Sequence, residues 1–148
     1  MTDTPRFTGL NLVAQDFDAT LAFYRALGID ISDEKVWRTD SGRHHTEGVD
    51  IGSGAKIELD SAQLARVYNA GYRDARTAPA TVIGFRAPSR EAVDALHDKL
   101  TAAGYQSRQP PYDTFWGARY AIVADPDGRD VGLMSPSDPA RRSAPPNL

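Results

Sequence analysis

The sequence predicts an α+β protein made of two tandem β-α-β-β-β modules, and three observations predict it. An alternating apolar run at residues 7–14 leads into an amphipathic segment that stops at Gly28, and three short strand-like runs follow. The same order restarts near Thr81, where a second amphipathic segment stops at Gly104 and three more strand-like runs complete the copy. With 148 residues, 41% hydrophobic and 25% charged, the chain has the size and composition to bury a core as one domain of two such modules.

The elements follow in order. In "FTGLNLVA" (7–14), Leu10 and Leu12 share one face of a strand, and Gly9, Asn11 and Val13 share the other. "QDFDATLAFYRALG" reads as a helix capped by Asp16 or Asp18, with Phe17, Leu21, Tyr24 and Leu27 as its apolar stripe. Turns at Ser41-Gly42 and Gly52-Ser53-Gly54 divide residues 29–61 into three strands. A connector over 62–79 holds a short helical patch at Leu64, Val67 and Tyr68, and "YNAGYR" is read as a linker rather than a lid.

The second module spans about 80–135. "TVIGFR" is strand-like, and Ser89 caps a helix whose Val93, Leu96 and Leu100 line one face, with His97 outward. Strands are expected around Tyr105 to Arg108, Arg119 to Ala124 and Asp130 to Met134. The turn "DPDG" precedes the last of these, which carries Gly132 at its centre. A mid-strand glycine marks a bulge or a close approach to the backbone. Residues 1–6 are an expected extension, 7–135 the domain, and 136–148, rich in Pro, Ser and Arg, a flexible tail.

Composition excludes several classes. A formal charge of −3 disfavours a polyanion-binding surface, so nucleic acid is not an expected partner. No cysteine is present, which removes disulfides, thiolate metal sites and a Cys nucleophile. No membrane-length apolar run is found and the first residues lack a leader pattern, so a cytoplasmic protein without membrane contact is expected. No phosphate loop, Ser-His-Asp series or zinc motif occurs, and "GSG" at 52–54 reads as a hairpin turn.

Four passages, "LNLVAQDFDATLAFYRALGID", "AKIELD", "SREAVDALHDKLTAAGY" and "GARYAIVADPDGRDVGLMSP", resemble the vicinal oxygen chelate superfamily of glyoxalases, bleomycin-resistance proteins and extradiol dioxygenases. The resemblance covers about residues 7–135 and implies βαβββ modules whose curved mixed sheets surround a central cleft. It also implies a homodimer. Metal-dependent members carry one ligand on the first and one on the last strand of each module. Carried over by position, these places fall on Gly9, Glu58, Thr81 and Gly132. Only Glu58 is a usual ligand, so no cofactor is expected; a divalent metal held by Glu58 and His45 is the runner-up. Glycines at two of the four places would leave room for a flat ligand against the backbone.

The remaining candidates come from residue type. Glu58 is a potential general base or hydrogen-bond acceptor. His44 and His45 are adjacent on a strand, so at most one can share a face with Glu58. Trp37, Tyr112, Phe115 and Trp116 offer ring surfaces, and "PYDTFWGARY" (111–120) groups three of them beside Gly and Pro in a connection. Arg119 can fork to a carboxylate or pair with Glu58, and Asn11 supplies both a donor and an acceptor. The leading expectation is a metal-independent binder of the bleomycin-resistance type that sequesters an aromatic or apolar compound. The alternatives are a glyoxalase-like lyase, isomerase or dioxygenase-like enzyme using Glu58, and an interaction module with a vestigial cleft.

Overall fold

Strand β1 (Leu10–Ala14) runs parallel to β4 (Lys56–Ser61), with Asn11 beside Glu58 and Val13 beside Asp60. This comes from a computed structural model that describes residues 9–49, 52–68, 70, 72 and 81–145. The expected extension at 1–6 and most of the connector at 69–80 lie outside the described residues. The chain divides into two units, Met1–Ala75 and Arg76–Leu148.

In the first unit, β2 (Trp37–Thr39) and β3 (Gly42–Val49) complete a four-stranded sheet of order β1-β4-β3-β2. Helix α1 (Phe17–Ala26) starts where Asp16 accepts a hydrogen bond from the Ala19 amide at 2.9 Å, which satisfies one of the open N–H groups of the first turn. It ends before Gly28, whose φ of +101° suits glycine. Phe17, Leu21 and Tyr24 of the expected stripe are buried, and Phe23 joins them edge-on to Tyr24. They pack toward β3 and β4; Ile57 and Leu59 of β4 and Leu12 of the neighbouring β1 are buried. Full burial of side chains of this size stabilises by roughly 1.5–3 kcal/mol each. Leu10, expected on this covered face, is 39% exposed at the strand's start. A short helix α2 (Ala62–Tyr68) follows β4 directly.

The second unit repeats the topology. Strand β5 (Val82–Arg86) runs parallel to β8 (Asp130–Met134), and the order is β5-β8-β7-β6, with β6 at Ser107–Asp113 and β7 at Arg119–Ala124. Helix α3 (Arg90–Ala102), capped by Ser89 on the Ala92 amide at 3.1 Å, packs on β6, β7 and β8. Val93, Leu100, Val123, Val131 and Leu133 are fully buried there.

Three expectations are corrected. Strand β6 runs on to Asp113 instead of ending near Arg108, with register shifts on either side of Gln109. Pro110 and Pro111 are tolerated because the strand is at the sheet edge, where missing N–H donors cost least. His97 is buried, with Nε2 2.8 Å from the Ser107 hydroxyl, because the helix rolls that face onto β6. The segment from Ser137 to Ser143 is not a loose tail. Asp138 N–H donates to Gly117 O at 3.0 Å and Ser143 N–H to Phe115 O at 2.9 Å, with a 3₁₀ turn at Pro139–Arg141 between them.

Candidate functional site

Strand alternation decides which candidates share a face. On the first sheet, His44, Thr46, Ile57 and Leu59 are buried on the α1 side, which turns Asn11, His45, Glu47, Glu58 and Asp60 to the other face. The centre of that face is Asp60, which residue-type reasoning missed. Its Oδ2 accepts from Asn11 Nδ2 and from the Tyr68 hydroxyl, each at 2.8 Å, and its Oδ1 lies 2.6 Å from His45 Nδ1. Burial by itself would raise this carboxyl, but the hydrogen bonds from His45, Asn11 and Tyr68 outweigh it and hold Asp60 below the usual Asp value. Burial and the same carboxylate push the Tyr68 hydroxyl up to about 12.

Glu58 lies two residues along the same strand face. It stands opposite Asn11 and Glu47 in the register and lines a cavity of about 230 Å³ with Gly9, Leu10, Asn11 and Lys56. His45 therefore faces the Glu58 side of the sheet but bonds Asp60. His44 faces α1, where it bonds Ser61, Thr39 and Ser41. Trp37 stacks at a tilt on His44, 5.4 Å between ring centres, and is 50% exposed at the sheet edge. Its register partner is His45, next to a register shift between Trp37 and Arg38, and Trp37 is absent from the lining of the Glu58 cavity.

Gly9 has a structural reason to be glycine. A Cβ there would meet the Lys56 carbonyl oxygen at 2.6 Å, so a close backbone approach requires glycine at this position, which also lines the Glu58 cavity. Gly132, which lines the cavity of the second sheet, also has a structural reason to be glycine. A Cβ would fall 2.6 Å from the Tyr120 hydroxyl and 3.0 Å from its Cε2, because the phenol ring lies across the strand there. The vacant glycine of the second sheet is Gly84, the register partner of Gly132, where an added Cβ meets nothing within 4 Å.

Around Gly84 the face of the second sheet opposite α3 forms a cavity of about 450 Å³, lined by Val82, Phe85, Arg86, Trp116, Tyr120, Gly132 and Met134. Thr81 shares the parity of buried Ile83, so Val82 is the β5 residue that stands on this face. Trp116 meets Tyr120 edge-on at 6.0 Å between ring centres; Phe115 meets Trp116 at 5.0 Å and Tyr112 meets Tyr120 at 6.3 Å. Three of the expected rings, Tyr112, Phe115 and Trp116, are thus joined through Tyr120 in one continuous row, which Trp37 does not join. Arg119 does not belong to it. It shares the α3 side with Ala121 and Val123, forks onto Asp94 at 2.8 and 3.2 Å, and reaches Asp113 at 3.3 Å. Arg86 and Met134 were missed, although the two-residue period from Val82 through Gly84 to Arg86 is the signal that finds the arginine.

A third cavity, of about 470 Å³, lies where α1 and α2 begin. Phe17 supplies an apolar ring to its wall, but Gln15, Asp16, Asp18, Arg43, Gln63 and Arg66 make most of that wall polar or charged, unlike the Gly84 cavity.

The donor set does not fit a divalent metal. Of the four places that the resemblance implies for ligands, Gly9 and Gly132 have no donor side chain, Thr81 offers a hydroxyl, and Glu58 is the single carboxylate. His45 and Asp60 are engaged with each other. Among the described residues no group of three or more His, Asp or Glu is placed to hold an ion.

The β-α-β-β-β topology of each unit agrees with comparison to known proteins. Residues 6–133 match the model of the Glyoxalase/Bleomycin resistance protein/Dioxygenase superfamily, and the chain belongs to that family. No curated protein matches the sequence. Among solved structures, a glyoxalase/bleomycin resistance protein/dioxygenase from Nocardioides is 24% identical, with a TM-score of 0.69 over 100% of this chain and 92% of the other. A family enzyme from Burkholderia phytofirmans PsJN is 20% identical, with a TM-score of 0.71 over 86% and 96%. Hypothetical protein SA1046 from S. aureus is 20% identical, with a TM-score of 0.70 over 92% and 95%. At these identities the likeness establishes the fold. Among the described residues no helix is long and apolar enough to cross a membrane.

Proposed function

We propose that this chain binds a planar, largely apolar small molecule on the second sheet and does so without a metal. The observation that carries the reading is the cavity over Gly84, whose roughly 450 Å³ falls within the range of about 300–1,000 Å³ typical of small-molecule sites. Trp116 and Tyr120 supply ring edges and faces, Val82 and Met134 supply apolar walls, and the bare backbone at Gly84 supplies a flat floor. Phe115 and Tyr112 extend the row of rings beyond it. Retention of a compound by such a surface would act by sequestration, as in the bleomycin-resistance reading.

Trp37 and Trp116 are the two tryptophans, so Trp37→Phe leaves Trp116 as the sole indole reporter. Titrating that variant with a panel of planar aromatic compounds should give a saturable change in emission, and Gly84→Val should weaken it. No saturable change with any compound would defeat the proposal.

A second reading, acid-base chemistry beside a carbonyl, rests on Glu58 lining its own cavity on the first sheet. Deuterium uptake from solvent next to a substrate carbonyl, lost in Glu58→Gln, would favour that reading.

A further inference from the structure

Resting on the binding site over Gly84, we propose that its ligand is anionic, a planar carboxylate, and that Arg86 is the residue that pairs with it. Arg86 is the charged residue of the cavity lining, and no acidic residue lines the cavity with it. Its Nη1 donates to the Ser135 carbonyl at 3.0 Å, which anchors one edge of the guanidinium.

Several other arginines among the described residues have a carboxylate partner. Arg25, Arg90, Arg119 and Arg129 each sit on an aspartate carboxylate. Among the described residues Arg86 has no such partner. A guanidinium anchored by one neutral carbonyl beside a mainly apolar wall has N–H donors in a planar fork that matches a carboxylate. A neutral ligand filling the same space would strip water from those donors and return nothing to them. The site therefore discriminates by charge as well as by shape. Sequence alternation places Arg86 on the same face as Gly84, so a ring lying over the glycine floor can direct a carboxylate toward the strand's end.

The test uses the full chain carrying Trp37→Phe and matched pairs of ligands differing in charge: benzoate with benzyl alcohol, cinnamate with cinnamyl alcohol, and 2-naphthoate with 2-naphthylmethanol. Affinities come from titration calorimetry at low and at moderate salt. In at least one pair the acid should bind about tenfold or more tighter than the alcohol, with an advantage that shrinks as salt rises. Arg86→Met should abolish the difference by weakening the acid at least tenfold while the alcohol, freed of the cost of desolvating the guanidinium, binds as tightly or tighter, and Arg86→Lys should keep part of the acid's advantage. Circular dichroism and the alcohol's own binding report whether each variant is folded. Equal affinity for acid and alcohol in every pair that binds would overturn the role of Arg86 and leave the cavity reading standing. No binding by either member of any pair would overturn both.

Discussion

Gly84 and Gly132 stand side by side in the register of β5 and β8, yet their surroundings give them opposite roles. At Gly132 the missing side chain is replaced by the Tyr120 ring, so Gly132→Ala forces the ring aside. Overpacking of this kind costs about 1–3 kcal/mol, measurable as a lower urea midpoint. At Gly84 nothing fills the space, so Gly84→Val should leave the midpoint unchanged or raise it, since valine suits a strand. Its expected cost is ligand affinity. The pair separates packing from binding on adjacent strands. At Asp60, titration of Tyr68 followed by absorbance at 295 nm should show ionisation near pH 12, because the phenol donates to a carboxylate that its own charge would repel. Asp60→Asn should bring that ionisation down toward the ordinary tyrosine value.

Elements hold these residues in place, and the turn between β6 and β7 is the clearest case. Thr114 Oγ1 accepts from the Ala118 amide and donates to the Ala118 carbonyl, each at 3.0 Å, which closes the loop that presents Phe115 and Trp116. The segment after β8 then straps it: the Ser137 hydroxyl donates to the Trp116 carbonyl, beside the bonds from Asp138 and Ser143. Gly117, at φ +89°, is needed both for its backbone angle and because a Cβ would strike the Asp138 carbonyl. Deleting residues 137–148 should therefore speed hydrogen exchange at the Gly117 and Ala118 amides and weaken ligand binding, with the helix signal in circular dichroism preserved. The strap was not legible in the sequence, because it is held by backbone and hydroxyl hydrogen bonds that a Pro- and Ser-rich composition does not reveal. The helices were legible: Asp16 and Ser89 cap where expected, and Ser89→Ala should cost about 1 kcal/mol of stability.

Across the whole molecule the two units share one topology but carry different chemistry on the sheet faces opposite α1 and α3. One is polar, organised around Asp60; the other is apolar, organised around the rings. Stability should follow pH accordingly. Because Asp60 is held below its unfolded value, its ionised form stabilises the fold above the ordinary Asp range, and that contribution is lost as pH falls through the depressed value. Tyr68, raised to about 12, stabilises below the ordinary tyrosine value near 10, and its contribution is lost as pH climbs toward 12. Urea midpoints measured across pH should fall on both flanks, and Asp60→Asn should flatten the acid one. The sequence by itself determined the order of elements, the caps, and the inward placement of Leu12, Leu59, Val131 and Leu133, because a two- or 3.6-residue period is a local property. Only tertiary structure decided that Tyr120 fills the space at Gly132, that the Lys56 carbonyl crowds Gly9, that His45 turns to Asp60 and that Arg119 belongs to Asp94. Those outcomes depend on how paired strands and packed elements slide into register and how far side chains reach across them, and no local repeat records either.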